Sequence, residues 1–260
     1  MSDSPLVLQR EGSIVTVVFN RPEQINALDL ATAVAFEAAC RSIADDPSTR
    51  VVVIRGEGRS FGVGGDLQGF RSGDAPSHAS RLIEPLHRGL KLLAALDAPT
   101  IASLHGNVAG GSMSLALNCD LAIAADNVRF NLAYTNVATN CDLGGSWALP
   151  RLVGLRRALQ IALIGEPIGA QEALMIGLVN RVVESSELEA ATRALARHLA
   201  QGPTLAYGRM KQLLRGSFEH SFAQQLDLEQ ESFEASAGTR DFAEAIHAFF
   251  QRRSPSFNGT

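Results

Sequence analysis

Residues 100–126 read TIASLHGNVAGGSMSLALNCDLAIAAD, and this stretch decides the class of fold. Residues 100–106 have the apolar, β-branched pattern of a strand, and residues 120–126 have the pattern of the next strand. Between them, residues 110–118 form an apolar helix that the chain enters through two glycines. Strand and helix alternate in this way until about Val183. The alternation predicts an α/β core.

The flanking elements extend this pattern. Further strands are predicted at residues 13–19, at residues 51–55 and before Val183, and helices at residues 30–45 and 78–97. Pro22 excludes a central strand directly after the first one. The last quarter contains only helical patterns, at residues 187–200, 203–215, 218–236 and 239–252. The third of these carries Phe222, Leu226 and Phe233 in a predicted buried stripe. A break near residues 201–204 divides the chain into a core, residues 1–200, and a C-terminal helical region, residues 201–260.

Composition excludes several classes of function. Of the 260 residues, 46% are hydrophobic and 19% are charged, which is typical of a globular protein with a sizeable core. The net charge of −4 provides no global attraction to nucleic acid or to an anionic membrane. Cys40, Cys119 and Cys141 are odd in number and widely spaced, so neither disulfides nor a metal site is expected. Because no signal-peptide or membrane-span pattern is present, we expect a cytoplasmic protein.

The first of three glycine-rich loops is FGVGGD, residues 61–66. It follows a strand but fits neither phosphate-binding template. Glycine also lets a ligand approach the backbone closely, and Gly65 is then the natural N–H donor. A plain flexible loop is the structural alternative.

The second loop is VAGGSMS, residues 108–114. Glycines at the start of a helix expose the unpaired N–H groups of its first turn, which favours binding of a developing oxyanion. The sequence GGSMS lacks the closing glycine of a nucleophile elbow, which argues against a serine hydrolase. Tight packing between the helix and a strand is the structural alternative.

The third stretch, YTNVATNCDLGGSW at residues 134–147, contains a lone aspartate, Asp142. Asp142 suits the N-cap of the helix that follows. Its neighbours Val137, Leu143 and Trp147 are apolar, however, and an apolar environment raises the pKa of a carboxyl into the range useful for proton transfer. The residues alone leave both roles open.

These loops together resemble the crotonase, or enoyl-CoA hydratase/isomerase, superfamily. The motifs that carry the resemblance run in order along the chain: NRPEQINAL (20–28), RSFGVGGDL (59–67), HGNVAGGSMSLALNCDLAIAA (105–125), GGSWALPRLVG (144–154), GAQEALMIGLVNRVV (169–183) and HAFFQRRSPSF (247–257). The resemblance implies a spiral of ββα turns with a C-terminal helical trimerisation region. It also implies acyl-CoA thioester substrates, a homotrimer or a dimer of trimers, and no cofactor beyond the coenzyme A of the substrate.

The resemblance also assigns site residues. The N–H groups of Gly65 and Gly111 would form the oxyanion hole for the thioester carbonyl. The coenzyme A groove would be lined by Ile25, Asn26, Ala27, Gly65, Asp66 and Leu67. Phe249 and Arg252 fall where family members offer tail residues to coenzyme A, often across a subunit interface, and Arg252 and Arg253 would supply positive charge.

Two positions depart from the family's hydratases, which carry a glutamate at each. Here they are Ser114 and Tyr134, and neither side chain is a good base at neutral pH. Asp142 lies where some family isomerases and dehalogenases keep an aspartate. DLGGSWALPR, QLDLE (225–229) and RSPSF (253–257) further resemble the 1,2-epoxyphenylacetyl-CoA isomerase group.

The resulting prediction is an acyl-CoA isomerase with Asp142 as acid and base. Ser114, Tyr134, Val63, Trp147 and Asn140 complete the predicted pocket, with Asn140 orienting Asp142. Three alternatives stay open: a hydratase, a dehalogenase-like hydrolase acting on 4-chlorobenzoyl-CoA, and a non-catalytic coenzyme A-binding or RNA-binding homologue. His87 falls near the position of a histidine in the dehalogenases. It is otherwise an ordinary polar residue on an amphipathic helix.

Overall fold

A six-stranded sheet forms the centre of the protein, whose structure is a computed structural model that describes residues 4–71 and 73–260. In spatial order the strands are β1 (Leu6–Glu11), β2 (Ile14–Phe19), β3 (Val51–Gly56), β4 (Thr100–Leu104), β6 (Leu121–Ala125) and β9 (Arg181–Val183). Strands β1 and β2 are antiparallel, and all other pairs are parallel. The parallel strands read as nearly continuous apolar runs because both faces of the sheet are covered.

Three short strands form a second sheet in the order β5 (Asn107–Ala109), β7 (Arg129–Asn131) and β8 (Ile168–Gly169). The helices that surround the two sheets are α1 (Leu30–Ala44), α2 (Ala75–Ala95), α3 (Gly110–Leu117), α4 (Gly145–Val153), α5 (Leu155–Ile164), α6 (Ala170–Met175), α7 (Leu188–Ala200), α8 (Thr204–Gly216), α9 (Phe222–Ala237) and α10 (Arg240–Gln251). Single turns of 3-10 helix lie at Pro22–Gln24, Leu67–Phe70, Tyr134–Val137 and Ser185–Glu187. Within the described ranges, none of the helices has the length and apolar composition required to cross a bilayer.

Alternation along the strands divides the core into two layers. Val52 and Ile54 of β3 face a large cluster that contains residues of α1, α2 and α3. Val51 and Val53 face the other side, where they pack with Ala196 of α7. The candidate site lies in the first layer, where the loops after β3 and β5 meet helix α3.

The structure confirms each strand and helix predicted from the sequence, with small shifts in their bounds. It adds β1, whose residues are mostly exposed and therefore lack the apolar signal of a core strand. It also adds the second sheet, whose strands of two or three residues are too short to show a period. Pro22 begins a 3-10 helix, which agrees with its predicted exclusion from a central strand.

One expectation about the C-terminal helices is wrong for the single chain. Phe222, Leu226 and Phe233 of α9 are 80%, 48% and 66% exposed, so they do not form a buried stripe. Apolar spacing on a helix shows that a face seeks cover, but it does not show whether the same chain supplies that cover. The division of the chain near residues 201–204 stays a prediction.

Candidate active site

Two glycine loops that are distant in sequence lie side by side in the candidate site. The N–H of Gly62 donates to the carbonyl of Asn107 at 3.1 Å, and the N–H of Ala109 donates to the carbonyl of Gly62 at 2.9 Å. At Gly64 φ is +86°, and a Cβ there would lie 2.9 Å from the backbone nitrogen of Gly111. Only glycine allows so close an approach. The glycine at position 64 therefore lets the first loop pack against the start of α3.

Ser112 fixes the same junction from inside the protein. Its hydroxyl oxygen accepts from the N–H of Gly64 at 3.0 Å, and the residue is buried. This contact explains a serine in the GGSMS stretch without a nucleophilic role. No local sequence pattern indicates this contact, because the partner is a backbone group 48 residues away.

The backbone N–H groups of Gly65 and Gly111 are available to a ligand. Leu28 donates to the carbonyl of Gly64 at 2.8 Å, and Asp66 donates to the carbonyl of Leu28 at 2.9 Å. The backbone groups of Gly65 between them therefore face away from Leu28. Gly111 is the second residue of α3, where a helix N–H has no intrahelical partner and lies at the positive end of the helix dipole.

Asp142 lies next to this pair of donors. A Cβ built on Gly111 would be 3.5 Å from Oδ1 of Asp142, so the carboxylate lies against the start of α3. The capping role is wrong: helix α4 begins after Gly144, whose φ of +76° makes it a backbone cap without a side-chain acceptor. Asp142 joins that turn only through its backbone carbonyl, which accepts from the N–H of Gly145 at 2.9 Å.

Ser114 and Tyr134 adjoin the carboxylate. The hydroxyl of Tyr134 donates to Oδ1 of Asp142, and the hydroxyls of Ser114 and Tyr134 are 2.9 Å apart. Ser114 is fully buried, whereas Tyr134 and Asp142 are half-buried. In the described part of the chain, no lysine or arginine forms an ion pair with Asp142.

The surrounding protein shifts the pKa values of both Asp142 and Tyr134. Burial raises the pKa of Asp142, while the hydrogen bond from Tyr134 acts to lower it. Burial and the adjacent Asp142 carboxylate raise the pKa of Tyr134 well above its usual range, so its hydroxyl stays protonated. A carboxylate with raised proton affinity is suited to exchange protons near neutral pH.

His87 belongs to the site, which sequence patterning alone left open. Nε2 of His87 accepts the N–H of Leu143 at 3.2 Å. Leu143 has a φ of +47°, a backbone conformation that is unfavourable for leucine. His87 on α2 therefore holds the residue next to Asp142, across 56 residues of sequence.

Two predicted pocket residues lie elsewhere. Asn140 is exposed, and its amide donates to the carbonyl of Cys141 at 3.1 Å instead of orienting Asp142. Trp147 lies under the guanidinium of Arg151, 4.2 Å from its carbon, and lines a separate cavity of 410 Å³ with residues of α8. Val63 lies half-buried in the first glycine loop, and its place in the pocket stays a prediction.

The residues predicted to line the coenzyme A groove differ in whether their backbone or their side chain makes contacts within the protein. Ile25 and Asn26 both have a φ of 53°, which makes a tight turn. Asn26 is only 2% exposed, because its amide donates to the carbonyls of Glu57 and Ser60, so its side chain is structural. Ala27 presents its carbonyl to the guanidinium of Arg21. The sequence offered no signal for Arg21.

Asp66 and Leu67 continue the same rim. The carboxylate of Asp66 accepts from the N–H of Gln68 at 3.0 Å and lies 3.7 Å from Arg21. Leu67 is 55% exposed and is free to contact a ligand.

Phe249 and Arg252 lie at the end of α10, exposed to solvent, so this chain does not bring them to its own site. Arg253 forms two hydrogen bonds with the carboxylate of Glu244, at 2.6 and 2.8 Å, and its charge is already paired.

Residues 9–260 match the enoyl-CoA hydratase/isomerase family. The chain belongs to this family. It is 32% identical to 1,2-epoxyphenylacetyl-CoA isomerase of Escherichia coli (strain K12), with 96% of each chain covered. It is 30% identical to 4-chlorobenzoyl coenzyme A dehalogenase-2 of an Arthrobacter species, with 95% of this chain and 91% of the relative covered. The crystal structure of enoyl-CoA hydratase from Bacillus anthracis superposes with a TM-score of 0.93 at 28% identity, covering 98% and 100% of the two chains.

Membership of the enoyl-CoA hydratase/isomerase family establishes the crotonase-type fold and an enzymatic family that acts on acyl-CoA thioesters. The names of the relatives include an isomerase, a hydratase and a dehalogenase at similar identity. The residues around Asp142 must therefore be used to choose among the reactions.

Proposed function

We propose that this enzyme isomerises acyl-CoA thioesters, with Asp142 as the acid and base. The reaction is either a double-bond shift in an enoyl-CoA or a ring isomerisation of the epoxyphenylacetyl-CoA type. One observation carries the proposal: the half-buried carboxylate of Asp142 lies against the N-terminus of α3, with a hydroxyl donor and no cationic partner in the described part of the chain.

The mechanism follows from this geometry. The thioester carbonyl accepts hydrogen bonds from the N–H groups of Gly65 and Gly111, which acidifies its α-carbon. Asp142 removes a proton to give an enolate and returns a proton at another carbon. Each preorganised donor contributes about 2.7–4 kcal/mol to the stability of the developing oxyanion. The raised pKa of Asp142 places its proton affinity closer to neutral pH, where general bases work best.

Ser114 and Tyr134 argue against hydration. A hydratase must hold and deprotonate a water molecule, and neither hydroxyl serves as a base at neutral pH. The hydroxyl of Tyr134 is moreover engaged by Asp142 and Ser114. Asp142 alone suffices for isomerisation, because no water has to be positioned.

The proposal extends to the assembly and the ligand. The apolar residues exposed on α9 and α10, which include Phe233 and Phe249, support a homotrimer or a dimer of trimers. In that assembly Phe249 and Arg252 reach the coenzyme A of a neighbouring subunit. We propose that coenzyme A arrives with the substrate and that no separate cofactor or metal takes part.

A paired assay tests the reaction. The purified enzyme and its Asp142→Asn variant receive a 3-enoyl-CoA and, separately, a 2-enoyl-CoA, and products are identified by mass spectrometry and by absorbance of the conjugated thioester. We expect the 3-enoyl thioester to be conjugated without a change in mass, and the variant to lose this activity. Asp45→Asn, at the exposed end of α1, is the matched control and keeps full activity.

Two outcomes contradict the isomerase. Gain of one water by the 2-enoyl thioester at equal rates in both proteins shows a hydratase that does not use Asp142. Binding of both thioesters without turnover points to a non-catalytic homologue.

His87 supports one second candidate, a dehalogenase-type hydrolysis. In that reaction the carboxylate of Asp142 attacks the halogen-bearing carbon of the aromatic ring and displaces halide, and water then hydrolyses the aryl ester to release the phenol and restore the carboxylate. His87 lies beside Leu143, next to that carboxylate. Because its Nε2 accepts from the N–H of Leu143, its Nδ1–H can donate a hydrogen bond that orients the attacking water, but the imidazole cannot deprotonate that water. Release of chloride from 4-chlorobenzoyl-CoA, lost in Asp142→Asn, selects this reaction over isomerisation.

A further inference from the structure

The three side chains Ser114, Tyr134 and Asp142 form a hydrogen-bond chain with a fixed direction. Ionised Asp142 has no proton to offer, so it only accepts. The hydroxyl of Tyr134 has a single hydrogen, which it donates to Oδ1 of Asp142. The 2.9 Å contact with Ser114 must therefore be a donation from Ser114 to the oxygen of Tyr134. Protons in this chain all point toward the carboxylate.

The chain is built into the packing of two helices. Ser114 belongs to α3 and is fully buried, so its hydroxyl cannot exchange its partner for water. A Cβ at Gly145, the first residue of α4, would collide with the hydroxyl of Ser114. Glycine at that position therefore leaves the space in which Ser114 reaches Tyr134.

Strain in the loop that carries Tyr134 supports a functional role. Ala133 and Ala138, on either side of the 3-10 helix Tyr134–Val137, have φ values of 53° and 55°. Left-handed backbone at alanine is unfavourable and persists where surrounding contacts impose it. These two residues fix the position of the Tyr134 ring between α3 and Asp142.

We propose that Tyr134 is a positioning residue that orients Asp142 and sets its proton affinity, and that Ser114 acts through Tyr134. The proposal deepens the proposed function and rests on it only for its kinetic readout. Tyr134 occupies Oδ1, so Oδ2 is the oxygen left for the proton of the substrate. The chain holds Asp142 ionised as the resting base while burial keeps its proton affinity high.

Within residues 4–71 and 73–260, few other titratable groups face Asp142. They are His87 from α2, Tyr134 from the 3-10 helix and the neighbouring Cys141, whose pKa burial raises. Subtracting the infrared spectrum of an Asp142→Asn variant from that of the wild-type protein removes the bands of these three groups. The titration of the Asp142 carboxyl can then be followed by infrared difference spectroscopy, independently of any turnover.

The closing experiment compares Tyr134→Phe, Ser114→Ala and a control. Tyr207 is the second of two tyrosines in the chain and lies on α8, so Tyr207→Phe removes an equivalent hydroxyl outside the site. Loss of a hydrogen bond to a charged group favours the protonated form. We expect the carboxyl band of Asp142 to persist to higher pH in Tyr134→Phe, less so in Ser114→Ala, and to be unchanged in Tyr207→Phe.

The kinetic arm uses the same variants. The acidic limb of kcat/KM should move to higher pH in Tyr134→Phe, with a loss of roughly tenfold on that limb and little change in the KM for the thioester. An unchanged carboxyl midpoint in both Tyr134→Phe and Ser114→Ala would overturn the proposal. If the wild-type enzyme shows no isomerisation while the carboxyl band shifts as expected, the proposed function is wrong and the hydrogen-bond chain stands.

Discussion

Two aspartates in the first core layer, Asp120 and Asp142, have opposite surroundings. Asp120 pairs with Arg215 at 2.8 Å and with Lys211 at 2.9 Å, and its side chain is 12% exposed. It also accepts from the N–H and the hydroxyl of Thr100. Asp142 accepts a hydrogen bond from one tyrosine hydroxyl and lies near a histidine. In the described part of the chain, no lysine or arginine forms an ion pair with it.

The difference separates a structural carboxylate from the carboxylate that we propose as reactive. The cations of Asp120 come from α8, so this cluster fastens the first C-terminal helix to the sheet. Four contacts leave Asp120 no capacity for a substrate. Asp142 keeps an oxygen uncommitted and a raised pKa, and the four predictions below test whether that contrast holds.

The largest effect is expected on catalysis. Asp142→Asn should lower kcat for isomerisation by about 10³-fold, because the group that transfers the proton is lost. Its Tm should not fall, since the amide oxygen still accepts from Tyr134 and a buried charge is removed. Steady-state kinetics and differential scanning fluorimetry measure both. A matching loss of kcat in folded Asp120→Asn would break the comparison.

The second effect is expected on stability. Asp120→Asn leaves Lys211 and Arg215 without a counter-charge, and breaking a buried ion pair costs about 3 kcal/mol. The free energy of unfolding, obtained from urea titration, should fall by that amount, while kcat per folded molecule stays near the wild-type value. Unchanged stability would show that α8 is held by its apolar contacts alone.

The third prediction concerns pH. Folding raises the pKa of Asp142 above the ordinary aspartate value of 3.8, so the folded state binds its proton more tightly than the unfolded state does. Stability contributed by that proton is lost as pH rises from 3.8 through the folded pKa. Relative to Asp142→Asn, the wild-type protein should therefore lose stability over this window and level off above it. Urea titrations of both proteins from acidic to neutral pH measure the difference, and a rise would contradict the assignment.

The smallest effect is expected at His87. His87→Ala removes the acceptor of the Leu143 N–H and should lower stability by about 1 kcal/mol. Asp142 then loses part of its orientation, so kcat should fall several-fold with KM nearly unchanged. His78→Ala, at the start of α2 against Phe70, serves as the matched control. A loss as large as that of Asp142→Asn would contradict a role of His87 that is limited to holding Leu143.

Local requirements made part of the site predictable from sequence. Sterics demand glycine at position 64, where a Cβ would lie 2.9 Å from the backbone nitrogen of Gly111, so the loop was recognisable as a point of close approach. Gly65 was a candidate donor from this loop, and Gly111 was assigned by the family resemblance. Asp142 was recognisable as a lone carboxylate in an apolar stretch. Its contact with Tyr134 was not, because it depends on left-handed backbone at alanine and leucine residues, which no residue preference announces.

Two other expectations met similar physical limits. Trp147 is apolar and close to Asp142 in sequence, but it belongs to helix α4, which begins at Gly145, and it lies against Arg151 and lines a cavity with residues of α8. Phe222, Leu226 and Phe233 gave the pattern of a buried face in a chain that leaves them exposed. Apolar periodicity shows that a helix face requires burial, but it does not show which surface buries that face.

The pairing of Gly62 with Val108 bears on how such an enzyme can change its reaction. That bridge joins the two segments whose main-chain N–H groups we propose as donors to the thioester carbonyl. Because no substitution except proline removes a backbone N–H, carbonyl activation by these groups would be sheltered from ordinary point mutation. The proposed proton transfer instead depends on the side chains at positions 114, 134 and 142, where each replacement would alter the chemistry. An ancestor with this bridge could exchange isomerisation, hydration and dehalogenation through a few codons without rebuilding its electrophile-activating half.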